Sequence, residues 1–363
     1  SSDVCSSDLE DRTVQYSRSN GRGRLTGAIL AGLIVSLGCF GPADAAKRHH
    51  RHGHGHQVVS RSVGGGSITS SPRYAAYVVD DKTGRVLFSK NADAPRHPAS
   101  LTKMMTLYIL FEELEKKRMT MSTPLKVSAH ASVQAPSKLG LRPGQTIPVE
   151  DAIRALVTKS ANDVAVTIAE NIGGSEPAFA QRMTRTARRI GMTGSSFQNA
   201  SGLPNPNQWT TAHDMVTLGR ALAERYPNYY RFFSTRSFAW GNQVIGNHNK
   251  LLYRMEGIDG IKTGYTEASG FNLVSSLRRD NRHVVAAVMG GSSGRERDDH
   301  MVDLLSAHIG SASSGGKTSS VFRENGRSAD ASDGDEGPTT LADRKSTRLN
   351  SSHTDISRMP SSA

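Results

Sequence analysis

The stretch Pro98-Ala99-Ser100-Leu101-Thr102-Lys103-Met104-Met105 decides how the rest of this 363-residue chain is read. From Leu101 an apolar run through Met104, Met105, Leu107, Tyr108, Leu110, Phe111 and Leu114 recurs at helical spacing. Pro98 and Ser100 stand where such a helix begins, so Ser100 falls in its first turn. Lys103, three residues on, then lies one turn up on the same face. A hydroxyl and an amine are thereby held within reach of each other, near the positive end of a helix dipole. Serine is a poor nucleophile until a neighbour takes its proton, and lysine takes it only when neutral. Burial or a second cation nearby would bring that about. Alone, Ser-x-x-Lys is a common chance pattern, equally readable as a capping serine beside a solvated lysine.

Two later stretches change the reading. Ser160-Ala161-Asn162 makes a short polar break between apolar helical segments running from Val149 to Ile172. Lys262-Thr263-Gly264 follows Gly257-Ile258-Asp259-Gly260-Ile261 and precedes the strand-like Phe271-Asn272-Leu273-Val274. Ser-x-x-Lys, Ser-x-Asn and Lys-Thr-Gly, in that order, are the signature shared by penicillin-binding proteins and class A β-lactamases.

Around these motifs the pattern predicts a strand over Ala75–Asp80, a turn at Asp81–Gly84 and a hairpin partner over Arg85–Ser89. Helices are expected over Phe179–Ile190 and His213–Tyr226, separated by the Gly/Pro/Asn-rich loop Asn199–Trp209. Strands return at Phe271–Leu277 and His283–Met289, and Glu296–Ile309 closes as a helix. Strands at both sequence ends with helices between imply an α/β domain, residues 74–310, in which one sheet is assembled from distant segments and a helical portion is inserted.

The flanking segments read differently. Arg18, Arg22 and Arg24, the apolar run Leu25–Phe40 and Ala43-Asp44-Ala45 have the layout of an export signal, residues 10–45. Residues 46–73 begin with the His/Arg-rich run Lys47–His56 and continue Gly/Ser-rich, the composition of a disordered basic tether. Residues 311–342 read as a low-complexity tail. Residues 1–9 and 343–363 look foreign: a DNA string that encodes Cys5-Ser6-Ser7-Asp8-Leu9 has a reverse complement that encodes Asp343-Arg344-Lys345-Ser346, as a ligated adapter would. Cys5 and Cys39 are the only cysteines, so the domain is expected to hold no disulfide and no thiolate metal site. The formal net charge of +12 favours anionic surroundings such as a membrane or wall-polymer surface. No zinc-finger spacing or RNA-binding aromatic motif points to nucleic acid.

Residues from about Tyr74 to Ile309 resemble serine-type D-alanyl-D-alanine carboxypeptidases, the low-molecular-mass penicillin-binding proteins. Beyond the three motifs, the resemblance rests on Asn199-Ala200-Ser201-Gly202-Leu203-Pro204, Asn247-His248-Asn249-Lys250-Leu251-Leu252, Asp259–Thr266 and Gly270–Val274. It implies a β-lactamase/transpeptidase-like fold, an antiparallel sheet flanked by helices with an inserted helical subdomain and the active site between them. It also implies that Ser100 attacks the carbonyl between two terminal D-alanines of a peptidoglycan stem peptide, with Lys103 as general base. Ser160 would relay a proton to the departing D-alanine, and Asn162 would bind the peptide and orient Lys103. Lys262 would set the site's electrostatics from an edge strand, Thr263 would meet the terminal carboxylate, and Gly264 would let substrate lie against the strand. The backbone N–H groups of Ser100 and Tyr265 would form an oxyanion hole. Arg295 is a further candidate for the carboxylate. Neither metal nor cofactor is called for, and β-lactams would acylate Ser100. The expected location is the periplasm.

Three other readings share much of this pattern. A class A β-lactamase usually carries Ser-Asp-Asn where Ala161 stands here. A D,D-endopeptidase that cuts cross-links would use the same constellation. A wall-binding protein on an inactive fold would have no need of Ser100 and Lys103 together.

Overall fold

The computed structural model describes residues 67–322, and the expected export signal, most of the His-rich segment and both foreign-looking ends lie outside them. A hairpin opens the fold, β1 (Ala75–Asp80) and β2 (Val86–Lys90). A 3-10 turn, Ala99–Thr102, leads into α1 (Lys103–Glu115). The middle of the chain holds β3 (Pro124–Lys126), α2 (Ala129–Ser132), β4 (Thr146–Pro148), α3 (Val149–Thr158), α4 (Asn162–Gly173) and α5 (Glu176–Arg189). Next come α6 (Ala212–Arg225), α7 (Pro227–Tyr230), the hairpin β5 (Ser237–Trp240) and β6 (Gln243–Gly246), and α8 (Leu251–Arg254). The chain then returns through β7 (Ile258–Thr266), β8 (Gly270–Arg279), β9 (Arg282–Gly291) and α9 (Gly294–Ile309).

The main sheet has the order β2-β1-β9-β8-β7, antiparallel throughout, so the first hairpin and the last three strands form one sheet as expected. Strand residues alternate between its two faces. Ala75, Tyr77, Val79, Val285, Ala287 and Met289 belong to one core, shared with α1 and α6. Ala76, Val78, Val284, Ala286 and Val288 belong to the other, under Met301 and Leu305 of α9. Both faces of β1 and β9 are therefore covered, which is why these strands are apolar without alternation. Helix α1 is buried on nearly every side, between the sheet-side helix α6 and the helical portion α4 and α5. Its C-terminal end carries two buried carboxylates, Glu112 and Glu113, and these are met by Arg182 and Arg189 of α5 together with Arg118.

Three details depart from the sequence reading. The helix bearing Lys103 begins as a 3-10 turn and not as regular α-helix; Ser100 lies inside that first turn, as expected, and makes no capping hydrogen bond. The short pairs β3–β4 and β5–β6 were not expected, since three- and four-residue strands among turn residues leave little periodicity to detect. Packing also runs past 74–310 at both ends. Ile68 is buried under α9's core. Beyond α9, Ser313 N donates to Asp80 at 3.0 Å, Thr318 N to the Lys82 carbonyl at 2.8 Å, and Lys317 pairs with Asp81 and Glu224. Polar groups of the β1–β2 turn bind this segment, a partner no local pattern could announce.

Candidate active site

Four backbone segments meet at Ser100, and each is fixed by a specific local device. The turn carrying Ser100 starts at Ala99, a non-glycine residue with φ +49°. Such a conformation persists only when its surroundings impose it. They do so from two sides. Asn272 of β8 donates to the His97 carbonyl at 3.1 Å and accepts from Gly290 N, clamping the segment to the sheet. Gly202, with φ +84°, passes so close that a Cβ there would stand 1.8 Å from the Ala99 oxygen. The 199–204 loop that supplies Gly202 is folded around Asn199, which accepts from Gly202 N at 2.7 Å and donates to the Leu203 carbonyl at 3.0 Å.

Ser160 is also at positive φ, +60°, in the break between α3 and α4, and Asn162 opens α4. Next to it, the fully buried carboxylate of Asp163 accepts backbone N–H groups from Leu139 (3.0 Å), Gly140 (2.8 Å) and Leu141 (3.1 Å). Asn162 adds Nδ2 to the Ala135 carbonyl (2.8 Å) and its own N–H to the Ser137 carbonyl (2.7 Å). The first turn of α4 thus holds the 135–141 loop over the site. Asp163 had been passed over in the sequence because an acidic residue in a helix's first turn is ordinary. Its role depends on a loop more than twenty residues upstream.

Lys103 is at the centre. Its Nζ lies 3.1 Å from Ser100 Oγ and 2.7 Å from Asn162 Oδ1, and it also meets the Ser201 carbonyl. An ammonium would donate to all three. A neutral amine donates to the amide and the carbonyl and turns its lone pair toward the Ser100 hydroxyl. Complete burial, and then the charge of Lys262, push its pKa well below the ordinary lysine value, with Asp163 opposing. Lys262 is itself buried on β7 and donates to the Thr263 carbonyl at 2.8 Å. Burial, followed by the Arg297 guanidinium, brings its pKa down to about 7.

Ser100, Ser160, Asn162, Thr263, Gly264 and Tyr265 line one cavity of about 410 Å³. Ser160 Oγ is buried there without a hydrogen-bond partner, a hydroxyl free to serve an incoming group. Tyr265 is half exposed and packs on Phe271, ring centroids 4.2 Å apart. Gly264 corrects an expectation. A Cβ on it would point at the serine turn, 3.1 Å from Pro98 O and Ser100 N and 3.2 Å from Leu101 N. The glycine therefore allows edge strand β7 to approach the backbone behind the nucleophile; its missing side chain does not clear the substrate face.

Arg295 does not line this cavity. It is exposed and faces an adjoining one of about 590 Å³, with His248, Lys250 and Arg254. Arg297, two residues further on, reaches the serine cavity instead, tied to Asp298 at 2.8 Å and to the Asn272 carbonyl at 2.8 Å. The sequence reading named only Arg295; which of the two arginines faces the serine is set by the direction of α9, and that puts Arg297 at the cavity. His248, at the meeting of the two cavities, also went without a role in the sequence. Desolvation, then the charges of Lys262, Lys159, Lys250 and Lys103, hold its pKa at about 4. Among the described residues no group of three His, Cys, Asp or Glu is placed to hold a metal ion, and no helix is long and apolar enough to cross a membrane.

The profile of the D-alanyl-D-alanine carboxypeptidase family matches residues 68–293. The chain is 32% identical over 240 residues to D-alanyl-D-alanine carboxypeptidase DacF of Bacillus subtilis, an alignment covering 64% of this chain and 60% of that protein. Among solved structures it resembles penicillin-binding protein 6B of Escherichia coli, with TM-score 0.61, 31% identity, and coverage of 64% of this chain and 75% of the other. It also resembles penicillin-binding protein D2 of Listeria monocytogenes in a cefotaxime-bound form, with TM-score 0.59, 26% identity, and coverage of 64% and 95%. The chain spans about 60% of the length of the curated relatives it matches.

Proposed function

Since the chain belongs to the D-alanyl-D-alanine carboxypeptidase family, we propose that it removes the terminal D-alanine from peptidoglycan stem pentapeptides through an acyl-enzyme on Ser100. The observation that carries this reading is the contact of Ser100 Oγ with a fully buried Lys103 Nζ, whose other partners are an amide oxygen and a backbone carbonyl. Among the described residues no carboxylate forms an ion pair with that amine, so burial and Lys262 outweigh the more distant charge of Asp163 and favour its neutral form.

Neutral Lys103 takes the Ser100 proton as Oγ attacks the carbonyl of the penultimate D-alanine. The N–H groups of Ser100 and Tyr265 receive the developing oxyanion. As the C–N bond breaks, the Lys103 ammonium gives its proton to the departing amine through the Ser160 hydroxyl. Water then enters, Lys103 takes a proton from it, and hydrolysis of the ester restores Ser100. Thr263 receives the substrate's terminal carboxylate, and the charges of Lys262 and Arg297 lie behind it. Because Arg297 is already committed to Asp298, it acts on the substrate through its field.

The same nucleophile would be acylated by β-lactams, whose strained amide resembles the scissile bond. A substrate confined to the cell wall, together with the export signal read over residues 10–45, supports a periplasmic location, and the basic charge supports contact with anionic wall or membrane surfaces. Cleavage of peptide cross-links is a second reading, favoured by the adjoining cavity beside Arg297, which leaves room for a leaving group larger than D-alanine.

The test is release of D-alanine from a pentapeptide ending in D-Ala-D-Ala, with Ser100→Ala alongside and a cross-linked wall fragment as second substrate. Release that disappears in the variant is the expected result. A folded protein that turns over neither substrate would refute the hydrolytic reading.

A further inference from the structure

A further cavity of about 560 Å³ lies away from the nucleophile, lined by Gly140, Leu141, Arg142, Pro143, Gln145 and Trp240. We propose that it binds the N-acetylated amino sugar to which the stem peptide is attached, so that the protein reads glycan as well as peptide. The proposal rests on the hydrolytic reading above for the identity of the polymer.

The chemistry of the lining fits a sugar ring. Such a ring has an apolar C–H face and a rim of hydroxyl and acetamide groups. Trp240 is partly exposed at the end of β5, and its inner side is packed on the core next to Phe238. It offers a fixed aromatic face whose negative quadrupole attracts C–H groups. Arg142 is exposed and its guanidinium has no carboxylate or hydrogen-bond partner among the described residues. Gln145 accepts from Arg142 N through Oε1 at 3.1 Å, and its amide N–H₂ is left to donate. Between them these two side chains supply several donors and no charge-paired acceptor, as hydroxyl and acetamide oxygens require.

The position fits as well. The loop that lines the serine cavity with Pro136 and Ser137 lines this one with Gly140 to Gln145. On the opposite wall, His248 at the serine cavity is joined through β6 and its turn to Trp240. Gly140 is three positions after Ser137, which places them at most about 11 Å apart. The four stem residues between the scissile bond and the sugar reach about 13 Å when extended. The reach of the stem peptide is thus of the same order as the separation of the loop residues that line the two cavities. The walls are held ready, the loop by Asp163 and by Gly144 N to the Val127 carbonyl at 2.8 Å. Binding there would not have to order them.

The chain has two tryptophans, so Trp209→Phe leaves the emission of Trp240 as the reporter. The probe is the β-1,4-linked disaccharide of N-acetylglucosamine. The expected result is a saturable change in Trp240 emission that Arg142→Ala weakens; no change up to solubility overturns the proposal, whether or not the protein hydrolyses peptides. In turnover, kcat/KM for a disaccharide-linked pentapeptide should exceed that for the free pentapeptide by about ten-fold, the worth of one aromatic contact with its hydrogen bonds. Trp240→Ala and Arg142→Ala should abolish that preference and leave free-pentapeptide hydrolysis unchanged, and Arg142→Ala, at an exposed position, guards against misfolding of the hairpin. Equal kcat/KM for the two substrates in the parent protein also overturns the proposal. A sugar response without any hydrolysis would instead refute the hydrolytic reading and leave the sugar site standing.

Discussion

Gly264→Ala separates two accounts of the Lys-Thr-Gly strand. Its added methyl would meet Pro98 O and Ser100 N at 3.1 Å and Leu101 N at 3.2 Å, all backbone atoms and all inside ordinary van der Waals contact. Relief requires β7 and the serine turn to part by a few tenths of an ångström. The turn cannot yield easily, because Asn272 holds it from the sheet and Gly202 presses on Ala99. Strand β7 has a neighbour only on the β8 side, so it is the element that moves. Overpacking of this kind costs about 1–3 kcal/mol. For a domain of this size that is a fall in Tm of roughly 3–10 °C. The outward shift carries Thr263 and Tyr265 away from Ser100, and misplacing an oxyanion donor costs on the order of 10–100-fold in rate. The assay is the rate constant of acylation by a fluorescent penicillin at saturation, alongside thermal unfolding. If the glycine serves only to admit substrate, affinity falls while Tm and the saturating rate hold. That outcome would refute the packing argument.

Three further variants concern the same site. Lys262→Met removes a charge that depresses the Lys103 pKa, so the rise of acylation rate with pH should move to higher pH; no movement, or movement toward acid, would sink the electrostatic coupling. Lys262 also bears on stability: its folded pKa of about 7 lies below that of an unfolded lysine, so the unfolded chain binds more protons between about pH 7 and 10.5. Its burial penalty is therefore full below that window and absent above it, and Lys262→Met should flatten the corresponding rise of stability with pH in denaturant titrations. Asp163→Ala deprives three loop N–H groups of their acceptor and should cost roughly 3–5 kcal/mol in chemical denaturation, with acylation slowed as the 135–141 loop loosens; a loss under about 1 kcal/mol would mean the loop is held by other contacts. Ser160→Ala deletes a buried hydroxyl that has no partner, so stability should hold or rise slightly while D-alanine release falls by at least about 100-fold; a destabilised but active variant would contradict the proton-relay role.

Much of the architecture was legible because it rests on local chemistry. The spacing of Ser100 and Lys103, the break at Ser160–Asn162 and the apolar runs of β8 and β9 each reflect a helix or strand period that a short window contains. That one sheet joins both sequence ends followed from strands bracketing helices. The departures share one cause: each depends on contact between segments distant in sequence. Gly264 looked like a substrate-facing residue until the serine turn was found behind it. The choice of Arg297 over Arg295 is made by where α9 lies against β8. Asp163 and Asn272 are unremarkable in sequence and become important because one holds a loop and the other a turn. The segment after α9 looked like tail, and its docking is set by polar groups on the β1–β2 turn and α6.

By itself, then, the sequence determined which groups could react: a serine, a lysine and a second serine with an asparagine at spacings that secondary structure fixes. Tertiary structure alone decided that they do meet, and in what ionisation state. A lysine's pKa is lowered by burial and by another cation, and both are properties of segments some 160 residues apart brought into contact. No window of sequence contains that distance.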